Sequence, residues 1–206
     1  MTDNNLKKIL YIEDNEYQRK LVIQLFKRET KGFEITGIST IKEAKELISR
    51  ENFDLILTDY LLESENGFDI FDLNVDIPVI LITAYGNEET AAKALKLGAY
   101  DYLIKDNNER FIQNLPDILN KAIEQYRNNK EVELNKERLR KFMDSATDSF
   151  VLMDSRFKIL EINKTALKYI GKSKNEIIGK DISYISPLTE ANELKNKYKK
   201  IIETGK

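Results

Sequence analysis

The sequence predicts an α/β protein: a doubly wound, five-stranded parallel sheet, (βα)5, followed by a helical stretch and a smaller α+β piece. Three observations carry this. From residue 7 to about 127, short apolar runs alternate with segments of helical period. The runs are apolar on both faces, as parallel strands covered by helices must be. After Leu115 the apolar spacing becomes heptad-like, and past residue 146 it changes again.

Each element has its own local signal. "KKILYIED" (7–14) is a strand ending in acids. In "NEYQRKLVIQLFKRETKG" (15–32), Leu21, Val22, Leu25 and Phe26 share a helical stripe, and Gly32 is a C-terminal stop. "FEITGIS" (33–39) is the second strand. "TIKEAKELISREN" (40–52) opens on a capping box, Thr40 and Glu43, and turns Ala44, Leu47 and Ile48 inward. "FDLILTDY" (53–60) is the third strand, and a short helix near 66–74 follows. Pro78 starts the fourth strand, "PVILITAY" (78–85). "NEETAAKALKLGA" (87–99) is a helix closed by Gly98, "YDYLIK" (100–105) is the fifth strand, and a fifth helix begins near Asn108.

Composition narrows the chemistry. The chain has 206 residues, 33 Lys+Arg against 35 Asp+Glu, and a net charge of −2. No basic field points to nucleic acid or to an anionic membrane. With no Cys and no His, thiolate zinc sites, disulfides, histidine-based catalysis and autophosphorylation on histidine are excluded within this segment. No apolar run approaches the length of a membrane span and no signal peptide follows Met1, so a cytoplasmic location is expected.

In doubly wound sheets, ligands gather beyond the carboxyl ends of the strands. Those ends carry Glu13 and Asp14, Asp59, Thr83 and Lys105. Three crowded carboxylates repel unless a cation sits among them, and an all-oxygen donor set suits Mg2+. An Asp neutralised in this way is a competent nucleophile toward phosphorus, with Thr83 and Lys105 as donors to the phosphoryl oxygens. The first β-α turn, "IEDNEYQ", has no glycine and so cradles no nucleotide.

On "YIEDN", "LILTDYLLESENGFD", "VILITAYG" and "GAYDYLIK", with Gly67 eight residues after Asp59, residues 7–127 resemble the receiver domain of two-component response regulators. The resemblance implies a flavodoxin-like fold in which Asp59 is the phosphoacceptor. It implies that Asp14, Glu13, Asp59 and the backbone carbonyl of Leu61 serve Mg2+, and that Thr83 and Lys105 bind the phosphoryl group. Tyr102 and Thr83 would form the switch, and Leu61 and Tyr85 would tune phosphoryl lifetime. The implied donor is a histidine kinase or its phosphohistidine. The segment itself would have at most self-dephosphorylation. Two positions depart from the pattern: Asp106 replaces the usual proline after the lysine, which predicts a differently shaped 105–108 loop, and Glu63 replaces a common proline, which predicts a looser 60–66 loop.

Leu115, Ile118, Ala122, Gln125, Asn129, Val132, Lys136, Leu139, Met143 and Ala146 keep a seven-residue frame. They predict a coiled-coil linker over 115–146, overlapping the last receiver helix (domain 1–127) and joining two chains in parallel, the alternative being one solvated helix whose apolar stripe packs on its own domain. A homodimer is expected through this linker, through the face of the fourth helix, fifth strand and fifth helix, or both. Residues 147–206, with "SFVLMDSRFKILEIN" and Asn163, Gly171, Glu176 and Gly179, resemble the first half of a PAS sensor domain. The family's last three strands do not follow, so a longer protein with an output domain is expected. The readings competing with a phosphorelay are an unphosphorylated receiver-like dimerisation scaffold and the N-terminal part of a hybrid sensor histidine kinase.

Overall fold

The computed structural model describes residues 6–29, 32–84, 88–105 and 110–204. The chain divides into two compact units, Met1–Lys130 and Glu131–Lys206.

The first unit is a parallel sheet of β1 (Lys7–Ile12), β2 (Phe33–Ile38), β3 (Leu55–Asp59), β4 (Val79–Thr83) and β5 (Asp101–Ile104), in the order β2-β1-β3-β4-β5. Its helices are α1 (Glu16–Glu29), α2 (Ile41–Ile48), α3 (Glu88–Leu97) and the first part of α4 (Arg110–Ser145). The strand order reverses between β1 and β3, which sets the crevice of this topology beside the acids that follow those strands. Period-two alternation gives the sheet its two faces. On one, Ile9, Tyr11, Leu55, Leu57, Ile80 and Ile82 pack with Val22 and Phe26 of α1 and Leu115, Leu119 and Ile123 of α4. On the other, Leu10, Ile12, Ile56 and Val79 pack with Ile41 and Ala44 of α2.

Of the predicted capping box the Thr40 half forms, its hydroxyl accepting from the Glu43 N–H at 3.1 Å, while the Glu43 carboxylate accepts from the Ser39 N–H at 3.0 Å instead. The short helix expected near 66–74 is a 3-10 helix, Gly67–Leu73, capped by Asn66 and Asp69 and ended by Asn74 in the left-handed region. Its first residue explains the spacing from Asp59. A Cβ on Gly67 would lie 2.2 Å from the Asp59 carbonyl oxygen and 2.9 Å from the Tyr60 Cα.

The heptad frame does not survive as one seam. Leu115 and Ala122 are fully buried in the core of the first unit, and Met143 is buried in the second unit. Positions inside a chain's own core are not free to line a partner, so only Gln125 to Leu139 remains of the predicted stripe.

The second unit pairs β6 (Val151–Met153) with β7 (Ile159–Ile162) antiparallel and adds α5 (Lys164–Ile170), α6 (Lys174–Ile177) and α7 (Leu188–Thr204). Phe157, Ile159, Ile162, Ala166, Ile177 and Ile182 form its core. Asn163, 1% exposed, fills both ends of its amide. Its Oδ1 accepts from the Phe150 and Ala166 N–H groups, and its Nδ2 donates to the carbonyls of Met143 and Asp148.

Gly67→Ala is expected to lower stability by about 1–3 kcal/mol, because the colliding atoms are backbone; urea midpoints measure it. Asn163→Ala removes four hydrogen bonds to backbone groups, two of them buried, and is expected to cost about 2–4 kcal/mol. Its check is preferential loss of amide protection in residues 150–166.

Candidate functional site

Register brings the strand ends together. Ile12 lies opposite Thr58, Asp59 opposite Ile82, and Thr83 opposite Ile104. Glu13 and Asp14 therefore follow β1 at the edge where β3 ends in Asp59 and β4 in Thr83. The Lys105 N–H donates to the Thr83 carbonyl at 2.8 Å, which puts Lys105 at the same edge.

The Lys105 ammonium is the centre of the cluster. It donates to Glu13 Oε2 at 2.6 Å and to Gln18 Oε1 at 2.9 Å, and it is ion-paired with Asp59 Oδ2. The side chains of Lys105, Glu13 and Asp59 are 11%, 1% and 10% exposed, so each charge here depends on its partners for solvation. Burial pulls the Lys105 ammonium down, but Asp59 and then Glu13 outweigh it and hold it above its ordinary value. Burial raises the Glu13 carboxyl above the usual range, with Lys105 pulling the other way. Tyr11 donates its hydroxyl to the same Glu13 Oε2 at 2.9 Å. Burial first, then the charge of Glu13, push the Tyr11 phenol far up, so it stays a donor.

Asp14 stands at the rim. Its Oδ1 accepts from the Asn15 N–H at 2.8 Å and its Oδ2 from the Glu63 N–H at 2.7 Å. A proline at position 63 could not make that second bond. The Leu61 N–H donates to Asp59 Oδ1 at 3.1 Å, and the Glu65 carboxylate accepts from the Ile41 N–H at 2.6 Å. The 60–66 loop, expected to be looser, is thus fastened at three points. Arg19 of α1 donates to the carbonyls of Glu13 and Asp14, fixing the turn that carries both acids.

Glu13, Asp14, Gln18, Asp59 and Leu61 line an open cleft of about 430 Å³. Its donors are all oxygen, the set a hard divalent cation takes. Among the described residues, no three acidic side chains surround one point, because Lys105 stands between Glu13 and Asp59. The donor types fit Mg2+, and Lys105 would have to give way for Glu13 and Asp59 to share it. Thr83 is fully buried. The Tyr102 ring packs with Phe68, Leu81 and Ala94, and its hydroxyl is buried beside Thr83. Burial raises its phenol, and the Thr83 hydroxyl acts in the opposite direction. Leu61 is half exposed at the cleft. Tyr85 and the 106–108 part of the loop after Lys105 lie outside the described residues.

The sequence profile of the response regulator receiver domain matches residues 9–117. The chain belongs to the response regulator receiver family. A PAS domain profile matches residues 147–206, so the receiver is followed by a PAS domain. The chain is 48% identical to the response regulator protein PilR of Pseudomonas aeruginosa over 69 residues, 32% of this chain and 16% of PilR. The receiver domain of a putative Luxo repressor protein from Vibrio parahaemolyticus superposes with a TM-score of 0.54 at 26% identity, over 62% of this chain and 98% of that one. A beryllofluoride-activated NtrC4 receiver domain dimer gives 0.50 at 30% identity, over 59% and 99%. The chain spans 16% to 28% of the length of the first curated relatives it matches. Receiver membership ties this chain to phosphorelay signalling. Among the described residues, no helix is long and apolar enough to cross a membrane.

Sequence reasoning missed Tyr11, Gln18, Arg19 and the Glu63 amide. Tyr11 had a signal: a hydroxyl in an otherwise aliphatic buried strand needs a partner. Gln18 and Arg19 had none, since polar residues are ordinary on a helix. The Glu63 contribution is a backbone N–H, to which side-chain chemistry is blind.

Lys105→Met leaves Glu13 and Asp59 facing each other unpaired and is expected to cost about 3 kcal/mol at neutral pH. In metal-free buffer the deficit should shrink from pH 7.5 to pH 4.5, because protonating the carboxylates removes the repulsion. In the wild type, a lysine held above its ordinary value gives stability that is present below the unfolded value of 10.5 and lost as pH rises through the folded one. Urea midpoints across pH for both proteins check both signs.

Proposed function

We propose that this receiver accepts a phosphoryl group on Asp59 from the phosphohistidine of a partner histidine kinase, with Mg2+ required. The observation that carries the reading is Lys105 reaching both Asp59 and Glu13 at the crevice edge, even without the proline that usually follows this lysine. Asp59 Oδ would form the new O–P bond as the bond from phosphorus to the donor's imidazole nitrogen breaks. Lys105 would move from the Asp59 carboxylate to a phosphoryl oxygen, and the Thr83 hydroxyl would donate to another. Glu13, Asp14, Asp59 and the Leu61 carbonyl would hold the cation, which when bound supplies charge neutralisation for the carboxylate and the phosphoryl oxygens.

Thr83 and Tyr102 would pass the event on, with Tyr102 in the inward position from which it senses Thr83. Leu61, half exposed beside Asp59, and Tyr85 would limit access of the hydrolytic water. The helix α4 would carry the change toward the PAS domain and an output domain, in a homodimer. The surfaces that suit pairing are the face of α3, β5 and α4, and the α4 stretch with exposed Val132 and Leu139. The NtrC4 receiver dimer is a precedent for receivers pairing.

Incubation with Mg2+ and acetyl phosphate should add the mass of one phosphoryl group to the wild type and none to Asp59→Asn. EDTA should abolish the gain. No gain in the wild type would overturn the phosphorelay reading and leave a dimerising scaffold.

A further inference from the structure

We infer that Tyr11 is a positioning residue for Glu13, holding that carboxylate in the acidic cleft and thereby setting the affinity of the site for a divalent cation. The inference rests on the proposed magnesium-dependent reading of the cleft. Tyr11 and Glu13 are two residues apart along β1 and its continuation, so both side chains leave the same face of the sheet. The Tyr11 ring is fully buried in the core cluster with Val22, Phe26 and Leu115 and has no freedom to follow a moving partner. Its hydroxyl donates to Glu13 Oε2 at 2.9 Å.

Glu13 needs such a hold. A glutamate has one more rotatable bond than an aspartate, so its carboxylate loses more freedom when fixed. Two donors from different strands meet on Oε2: the Tyr11 hydroxyl, and Lys105 at 2.6 Å. Among the described residues, Oε1 takes only a long contact, 3.3 Å, from the Asn15 N–H, and is the oxygen with capacity left for a cation or its water. The two donors are not equivalent. Lys105 also binds Asp59, and in the proposed reaction it turns to the phosphoryl oxygens. When it does, Tyr11 is the donor that stays. Partners that orient metal-binding groups typically change affinity by about 10–100-fold when removed.

The test is Mg2+ titration by calorimetry on the full chain for the wild type, Tyr11→Phe, Glu13→Asp and the double variant. Tyr11→Phe should weaken Mg2+ binding about tenfold. In the Glu13→Asp background the shortened carboxylate is out of reach of the hydroxyl, and Tyr11→Phe should change nothing. Tyr11→Met, which also lacks the hydroxyl, should repeat the pattern, and urea midpoints confirm that each variant is folded. Unchanged Mg2+ affinity in Tyr11→Phe, or the same loss in both backgrounds, would overturn the positioning role while the phosphoacceptor reading stands. A wild type that neither binds Mg2+ nor gains mass from acetyl phosphate would remove that reading, and this inference with it.

Discussion

An ammonium group held between two buried carboxylates is the contact on which the receiver's crevice depends. A parallel sheet delivers all its strand ends to one edge, and here the edge collects Glu13, Asp14 and Asp59. Carboxylates removed from water repel and lose solvation together, so the edge is stable only with a cation in it. In this structure Lys105 is that cation, donated by a strand two positions away from the one that carries Asp59. The same lysine is the group best placed to follow charge from the carboxylate to an incoming phosphoryl group. Structural need and chemical use therefore meet in one side chain.

The rest of the crevice is built to keep this cluster fixed. Gly67 lets the 3-10 helix press against the backbone of Asp59, where a methyl group would not fit. The loop between them is stitched to Asp14 and to the start of α2 by backbone donors. Replacing a stiff proline by Glu63 thus exchanges one restraint for another: conformational restriction is lost and a hydrogen bond to an acid is gained. Behind the acids, Tyr11 links the cluster to the hydrophobic core, so that packing in the core bears on where a carboxylate sits.

The PAS domain uses the same physics without charge. Asn163 is a buried polar residue with all four hydrogen-bonding positions of its amide filled by backbone. It joins the end of α4, the segment before β6 and the start of α5, which few apolar contacts could do with comparable direction. The long helix is shared between two kinds of work. Its first part is receiver core, its last turn is fastened to the PAS fold, and its middle is solvated.

The order of strands and helices, both core faces and the acids, Thr83 and Lys105 at the strand ends were legible in the sequence. Hydrophobic period and cap chemistry are local, and a parallel sheet turns sequence order into position with little ambiguity. The heptad frame misled because spacing records that a helix has an apolar stripe and not which surface covers it; Leu115 and Ala122 went to the receiver core. Only the tertiary structure decided that Lys105 spans Glu13 and Asp59, that Tyr11 and Gln18 join the cluster, and that the Glu63 amide holds Asp14. Those are contacts between residues up to 92 apart, or contacts made by backbone groups every residue carries. Their existence depends on distances of a few tenths of an ångström, which packing sets and sequence pattern does not encode.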